Sequence, residues 1–186
     1  MKKKIDPIKL INKYYHPGSR TYRLLVEHSR MVSEKALKIA EKVKHLCPDI
    51  DFIREAAMLH DIGIFLTNEQ VIACYGDKAY ICHGYLGREI LEKEELPRHA
   101  LVCERHVGVG ITLREIKEKK LPIPERDMLP TTTEEKIICF ADKFFSKSPD
   151  FLLREKPVEL IRKQISKYGR DTVERFDEWA KMFGTV

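Results

Sequence analysis

The residues best equipped for chemistry are imidazoles and carboxylates set on apolar stripes. His28 stands one turn after Leu24 and one turn before Met31 and Val32, and His60 closes a stripe of Ile53, Ala56 and Ala57. His106 follows Val102 and Cys103 at four and three residues, and Asp142 follows Ile138 and Cys139 in the same way, with Phe145 beyond. Spacing of this kind turns a side chain toward the buried face of a helix. A carboxylate facing a core is costly unless it is paired or bound to a metal. One such histidine alone is most simply a hydrogen-bonded core residue. Several of them, together with inward carboxylates, are all satisfied by a single kind of partner, a cation. Neutral imidazoles and carboxylates suit Fe, Mn, Co, Ni or Zn, and the lack of thiolate ligands argues against a structural zinc site. Adjacent His60 and Asp61 point about 100° apart on a helix, so both reach one centre only if the ion sits near the helix terminus.

The elements that must position these groups read as helices. Asp6-Pro7 opens a short helix through Tyr14, His16-Pro17-Gly18 breaks it, and Ser19 caps a long second helix to about Leu46. Cys47-Pro48-Asp49 ends that helix and caps the next, which runs to His60, with Gly63 as its stop. A short helix is expected near Asn68–Cys74. Further helices are expected over His83–Glu94, Pro97–His106, Thr112–Lys119 and Thr133–Ser146, the last with a capping box in Thr132-x-x-Glu135. Two amphipathic helices follow, near Pro157–Tyr168 and Thr172–Phe183, separated by Gly169 and Asp171. No strand alternation, repeat or low-complexity block stands out, and Leu121–Thr133 is the longest loop, read as a connector rather than a lid.

Composition fits one globular domain over residues 1–186, with a core at about 19–146 and a helical extension at about 149–186. Its apolar share is 43% and its charged share 34%. Met1-Lys2-Lys3-Lys4 resembles the start of a signal peptide, but Asp6, Lys9, Asn12 and Lys13 interrupt any apolar core behind it. The five cysteines show no Cys-x-x-Cys spacing and read as small buried thiols in a reducing compartment, so a cytoplasmic location is expected. The formal charge of +5 favours anionic ligands without marking a nucleic-acid surface.

The order of the motifs resembles the HD superfamily of metal-dependent phosphohydrolases: His28, then His60-Asp61 within Leu59-His60-Asp61-Ile62-Gly63, then Asp142 within Phe140-Ala141-Asp142-Lys143. Two further histidines, in Cys82-His83-Gly84 and Arg105-His106-Val107, fall where two-metal members carry theirs. The pattern is similar to the branch that includes the symmetrical diadenosine tetraphosphate hydrolases, over roughly Ser19 to Ser146. This resemblance implies an all-α, HD-domain-like helical bundle with additional C-terminal helices. It implies one divalent ion on His28, His60, Asp61 and Asp142 and a second on His83 and His106, bridged by Asp61, with Mg added to the candidate ions. It also implies hydrolysis of a phosphoester or phosphoanhydride bond by a metal-activated hydroxide, Asp61 being the catalytic carboxylate. The expected partner is a small phosphate ester, a nucleotide. No membrane and no nucleic acid are expected, and homo-oligomerisation is left open.

One departure matters. Many relatives carry a lysine just after the His-Asp-Ile-Gly run, where this chain has Ile64-Phe65. Phosphate charge is then to be met by Lys143, Arg105, Arg20 or Arg114. Two alternatives stand beside hydrolysis: a metal-bearing regulatory or interaction module, and a di-iron, oxygen-dependent enzyme on the same fold.

Overall fold

In a computed structural model of the protein, residues 5–184 are described. The Met1-Lys2-Lys3-Lys4 run lies outside them. Helix α1 (Pro7–Tyr14) begins where Asp6 accepts the Lys9 amide and proline occupies the first turn. Ser19 caps α2 (Arg20–Lys42), which stops earlier than its periodicity suggests and passes into a 3-10 turn at Lys44–Leu46. Asp49 caps α3 (Ile50–Leu59). The segment expected to be a short helix near Asn68–Cys74 is instead a small antiparallel pair, β1 (Asn68–Glu69) and β2 (Cys74–Tyr75), around a 3-10 turn at Gln70–Ile72. Its span is too short for either periodicity to show.

Next come α4 (His83–Lys93), α5 (Pro97–Arg105), α6 (Leu113–Glu118) and α7 (Thr133–Lys143). The full capping box belongs to α6, where Thr112 and Glu115 exchange both bonds. At α7 only half of the expected box forms. Thr132 accepts the Glu135 amide, but the Glu135 carboxylate turns to the Thr131 amide and to Arg105. The chain closes with α8 (Val158–Ile165) and α9 (Arg170–Met182). No helix among the described residues is long and apolar enough to cross a membrane.

Of three apolar clusters among the described residues, the two larger meet along a seam. One packs α2, α3 and α7 against the last two helices, with Phe140 in ring contact with Phe176 at 4.9 Å and Phe183 at 5.3 Å. The C-terminal helices therefore cover the bundle itself. The other core gathers α1, the start of α2 and the facing sides of α3, α4 and α5. On α2, Leu25 belongs to the second core and Val32 to the first, so His28 lies between them. Ala57 and Leu59 divide likewise just before His60, as do Val102 and Cys103 before His106.

Gly63 is needed here for closeness rather than as a helix stop. Its φ of −84° is ordinary, but a Cβ would sit 2.3 Å from the His83 carbonyl oxygen and 2.5 Å from the Gly87 amide nitrogen. The missing side chain brings the turn after His60-Asp61 against the start of α4. The Leu121–Thr133 connection is pinned rather than free: Ile111 and Met128 exchange backbone bonds of 3.1 and 2.8 Å, and Arg126 pairs with buried Glu104.

Candidate metal centre

Helix ends build most of the site. His60 is the residue that closes α3, Asp61 follows in the turn, His83 opens α4, His106 closes α5, and Asp142 lies in the last turn of α7. Only His28 comes from mid-helix. The Nδ1–H groups of His60, His83 and His106 donate to the carbonyls three residues earlier, Ala57, Tyr80 and Cys103, at 2.7, 2.6 and 2.7 Å. Each bond fixes the tautomer, leaving the Nε2 lone pair free to face inward. Two thiols steady the backbone behind these residues, Cys103 donating to the Leu59 carbonyl and Cys139 to that of His106. Burial pushes the Cys139 thiol up to about 12 and Cys103 well above its usual value, so both remain S–H donors.

The six residues named from the sequence come together. Asp61 faces both ways: Oδ2 lies 3.3 Å from His28 Nε2 and 3.1 Å from His60 Nε2, while Oδ1 lies 3.3 Å from His83 Nε2 and 3.4 Å from His106 Nε2. Asp142 Oδ1 closes the first group at 2.9 Å from His28 Nε2 and 3.5 Å from His60 Nε2. Two donor sets result, His28, His60, Asp61 and Asp142, and Asp61, His83 and His106, with the atoms of each within 4.8 Å of one another.

A cation fits this arrangement on three counts. Bonds of about 2.1 Å to one ion put neighbouring donors about 3.0–3.4 Å apart in octahedral or tetrahedral geometry, close to the separations seen. Asp61 Oδ1 and His60 Nε2 are buried without a hydrogen-bond partner, while Asp61 Oδ2 meets the Lys147 ammonium. Finally, His83 Nε2 and His106 Nε2 stand 3.1 Å apart although each ring has already committed its proton to a carbonyl. Two facing lone pairs repel unless something positive lies between them or one ring is protonated. Protonation is opposed, since burial lowers His83 to about 3 and also lowers His106.

The remaining charges are strongly biased. Burial alone would raise both carboxylates, but Lys147 and His60 hold Asp61 well below its usual value, and Lys143 with His28 and His60 does the same for Asp142. Burial would likewise depress His60, yet Asp61 and Asp142 outweigh it and raise it to about 9.

The structure does not gather the proposed phosphate-binding residues in the same way. Lys143 lines the cavity at the centre, 2.7 Å from Asp142 Oδ2 and donating to the His106 carbonyl at 3.2 Å. Arg105 is turned away and held by both oxygens of buried Glu135 at 3.1 and 2.9 Å. Arg20 donates to the Val71 carbonyl, and exposed Arg114 pairs with exposed Asp171. None of the three arginines lines the cavity. Sequence reasoning missed Lys147, which ion-pairs with Asp61 and donates to the Tyr80 hydroxyl at 3.2 Å, and Lys156, which donates to the carbonyls of Phe145 and Lys143. Both follow the end of α7, where no helical period assigns a face. Their signal was only the lysine recurrence at 143, 147 and 156. Tyr80 packs on the His83 ring with centroids 4.7 Å apart, and Cys47, expected to be buried, is exposed.

Comparison with known proteins agrees with this geometry. The chain is 40% identical to an uncharacterized protein of Methanocaldococcus jannaschii, over 63% of this chain and 64% of that one. It is 32% identical to a tRNA (cytidine(56)-2'-O)-methyltransferase of Thermoplasma volcanium, over 92% of this chain and 45% of the relative. A protein of the same name from Picrophilus torridus is 36% identical over 66% of this chain and 32% of its own length. The chain thus spans less than two thirds of the length of these relatives, and less than half of the two methyltransferases. No solved structure matches it. The profile of the HD domain matches residues 25–146, which hold all six converging residues, and the chain belongs to the HD domain family.

Proposed function

We propose that the protein is a metal-dependent phosphohydrolase that cleaves a phosphoester or phosphoanhydride bond in a nucleotide. The observation that carries this reading is the placement of Asp61, one oxygen toward His28 and His60 and the other toward His83 and His106. On this reading His28, His60, Asp61 and Asp142 hold one divalent ion, and Asp61 with His83 and His106 holds a second. Such ions supply Lewis acidity toward a phosphoryl oxygen and lower the pKa of a bound water. The chain's own contribution is to fix the donors in neutral tautomers on helix ends, to keep Asp61 ionised, and to present cations to the substrate. Lys143 and Lys147, both at the cavity wall, are the phosphate contacts. Lys147 takes the part of the lysine absent after Gly63, reaching Asp61 from beyond α7.

The test is Asp61→Ala, assayed against a panel of nucleotides and artificial phosphodiesters with metal content measured on the same samples. Turnover is expected to fall by at least about a thousand-fold, with bound metal reduced and helical circular dichroism retained. Turnover at the parent rate would remove the assigned mechanism.

RNA as the phosphate-bearing partner has one observation in its favour, the tRNA-methyltransferase names of two relatives. Those names describe proteins more than twice as long as the matched segment. Release of phosphate from nucleotides without competition by tRNA would set this reading aside.

A further inference from the structure

The cavity does not end at the metal centre. Its volume is about 700 Å³, within the range of pockets that enclose whole drug-sized ligands. A phosphate at the metal centre leaves most of it to be filled by the rest of the substrate. The cavity lining also includes Gln164, Ile165, Lys167, Tyr168 and Thr172, all beyond the segment 25–146 that matches the HD profile.

Charge along the walls is unevenly satisfied. Lys143 and Lys147 are paired with Asp142 and Asp61, and Lys119 lies 3.8 Å from Glu115. Among the described residues, no carboxylate pairs with Lys156 or Lys167. Lys156 is half-buried, and its ammonium donates only to backbone carbonyls, that of Phe145 at 2.9 Å and that of Lys143 at 3.4 Å. An ammonium drawn from water without a counter-ion recruits an anion from whatever enters.

Tyr168 is held in place by its surroundings. Its carbonyl accepts from Lys119 Nζ at 2.8 Å, and the Lys167 ammonium lies 4.9 Å from its ring centroid. Yet 49% of the residue is exposed. A part-exposed aromatic ring on the lining of a cation-lined cavity suits a flat π system attached to phosphate.

Resting on the phosphohydrolase reading, we propose that residues 156–172 form a substrate-selecting subsite: Lys156 receives a phosphate, and Tyr168, flanked by Lys167, stacks on the base of a nucleotide. The family-matched segment provides the metal centre, and the C-terminal helices decide which phosphate compound reaches it.

The experiment measures calorimetric binding of the four nucleoside 5′-monophosphates and of ribose 5-phosphate to metal-loaded and metal-free protein. Phosphate release is read on the same samples. At least one nucleotide is expected to bind more tightly than ribose 5-phosphate. Tyr168→Ala should weaken that nucleotide about ten-fold and leave ribose 5-phosphate unchanged, with Tyr168→Phe close to the parent. Lys156→Gln should weaken both ligands, and Lys156→Arg should restore them, which separates charge recognition from a folding defect. Equal binding of ribose 5-phosphate and every nucleotide, or parent-like nucleotide binding by Tyr168→Ala, would overturn the subsite. Should both compounds be hydrolysed regardless of Tyr168, the subsite falls and the phosphohydrolase stands. Tyr168-dependent binding without any phosphate release would support the subsite and exclude the monoester as the bond that the hydrolase cleaves.

Discussion

Helices α3 and α5 bring chemically capable residues together at two places, and the two differ. At their C-terminal ends His60, Asp61 and His106 meet His28, His83 and Asp142. Toward their N-terminal ends, His99 of α5 is also buried, and its Nε2 also lacks a hydrogen-bond partner. There, however, Glu55 Oε2 is the close carboxylate at 3.5 Å, with Asp49 acting from farther off, Phe52 edge-on at 4.9 Å and Arg98 over the Phe52 ring at 4.0 Å. One end has carboxylates shared between several imidazoles, and the other has one pair wedged among apolar and cationic groups. Burial of a histidine therefore says little. Convergence of several donors on a shared carboxylate is what distinguishes a candidate site from a core contact.

The sharpest way to break that contrast is to remove one arm at the converging end. His106→Gln is expected to reduce bound metal from two ions to one and to lower turnover by about a hundred-fold or more. Metal analysis beside kinetics checks this, and unchanged stoichiometry would return His106 to the same class as His99. Stability should follow the same division. An ion present at about a thousand times its dissociation constant contributes about 4 kcal/mol, which for a domain of this size corresponds to a melting temperature about 10 °C higher. A chelator should therefore lower the melting temperature of the parent and leave that of Asp61→Ala almost unmoved.

Proton linkage sharpens the comparison further. In the metal-free protein His60 is raised to about 9 by Asp61 and Asp142 against the effect of burial. Its proton stabilises the fold fully below the ordinary value near 6.5, and that contribution is lost as pH rises through about 9. A divalent ion must displace this proton, so uptake at pH 7.5 should release about one proton, declining to none above pH 10. Calorimetry in buffers of different ionisation enthalpy reads that number, and heat independent of buffer would contradict it. The smallest effect is expected at the other end of the helices, where His99→Gln should cost about 1 kcal/mol in urea melts and leave metal content and turnover as in the parent.

Much of the candidate site was legible because helical periodicity is local. His28, His60, His106 and Asp142 each follow apolar residues at three- and four-residue steps, so their faces could be assigned from neighbours in the chain. His83 opens its helix, with no preceding turn to assign its face, and was reached through motif order alone. The helices were legible for the same reason, whereas the Asn68–Tyr75 hairpin was too short to show a period. Arg105, Arg20 and Arg114 were misplaced because charge gives no direction: Arg105 has the right neighbour in His106 but is captured by Glu135.

Alone, the amino-acid order determined the helical class, the caps at Asp6, Ser19 and Asp49, and the inward faces of the metal-type residues, all set by interactions within a turn or two. Tertiary structure alone decided that His83 and His106 share one oxygen of Asp61 while His28 and His60 share the other. It also decided that Lys147 supplies the nearby cation, and that Lys156 and Tyr168 look onto the same cavity. These depend on how two cores abut along a seam and on how closely Gly63 lets one turn approach α4. Packing between segments far apart in the chain fixes such distances, and no local pattern encodes them.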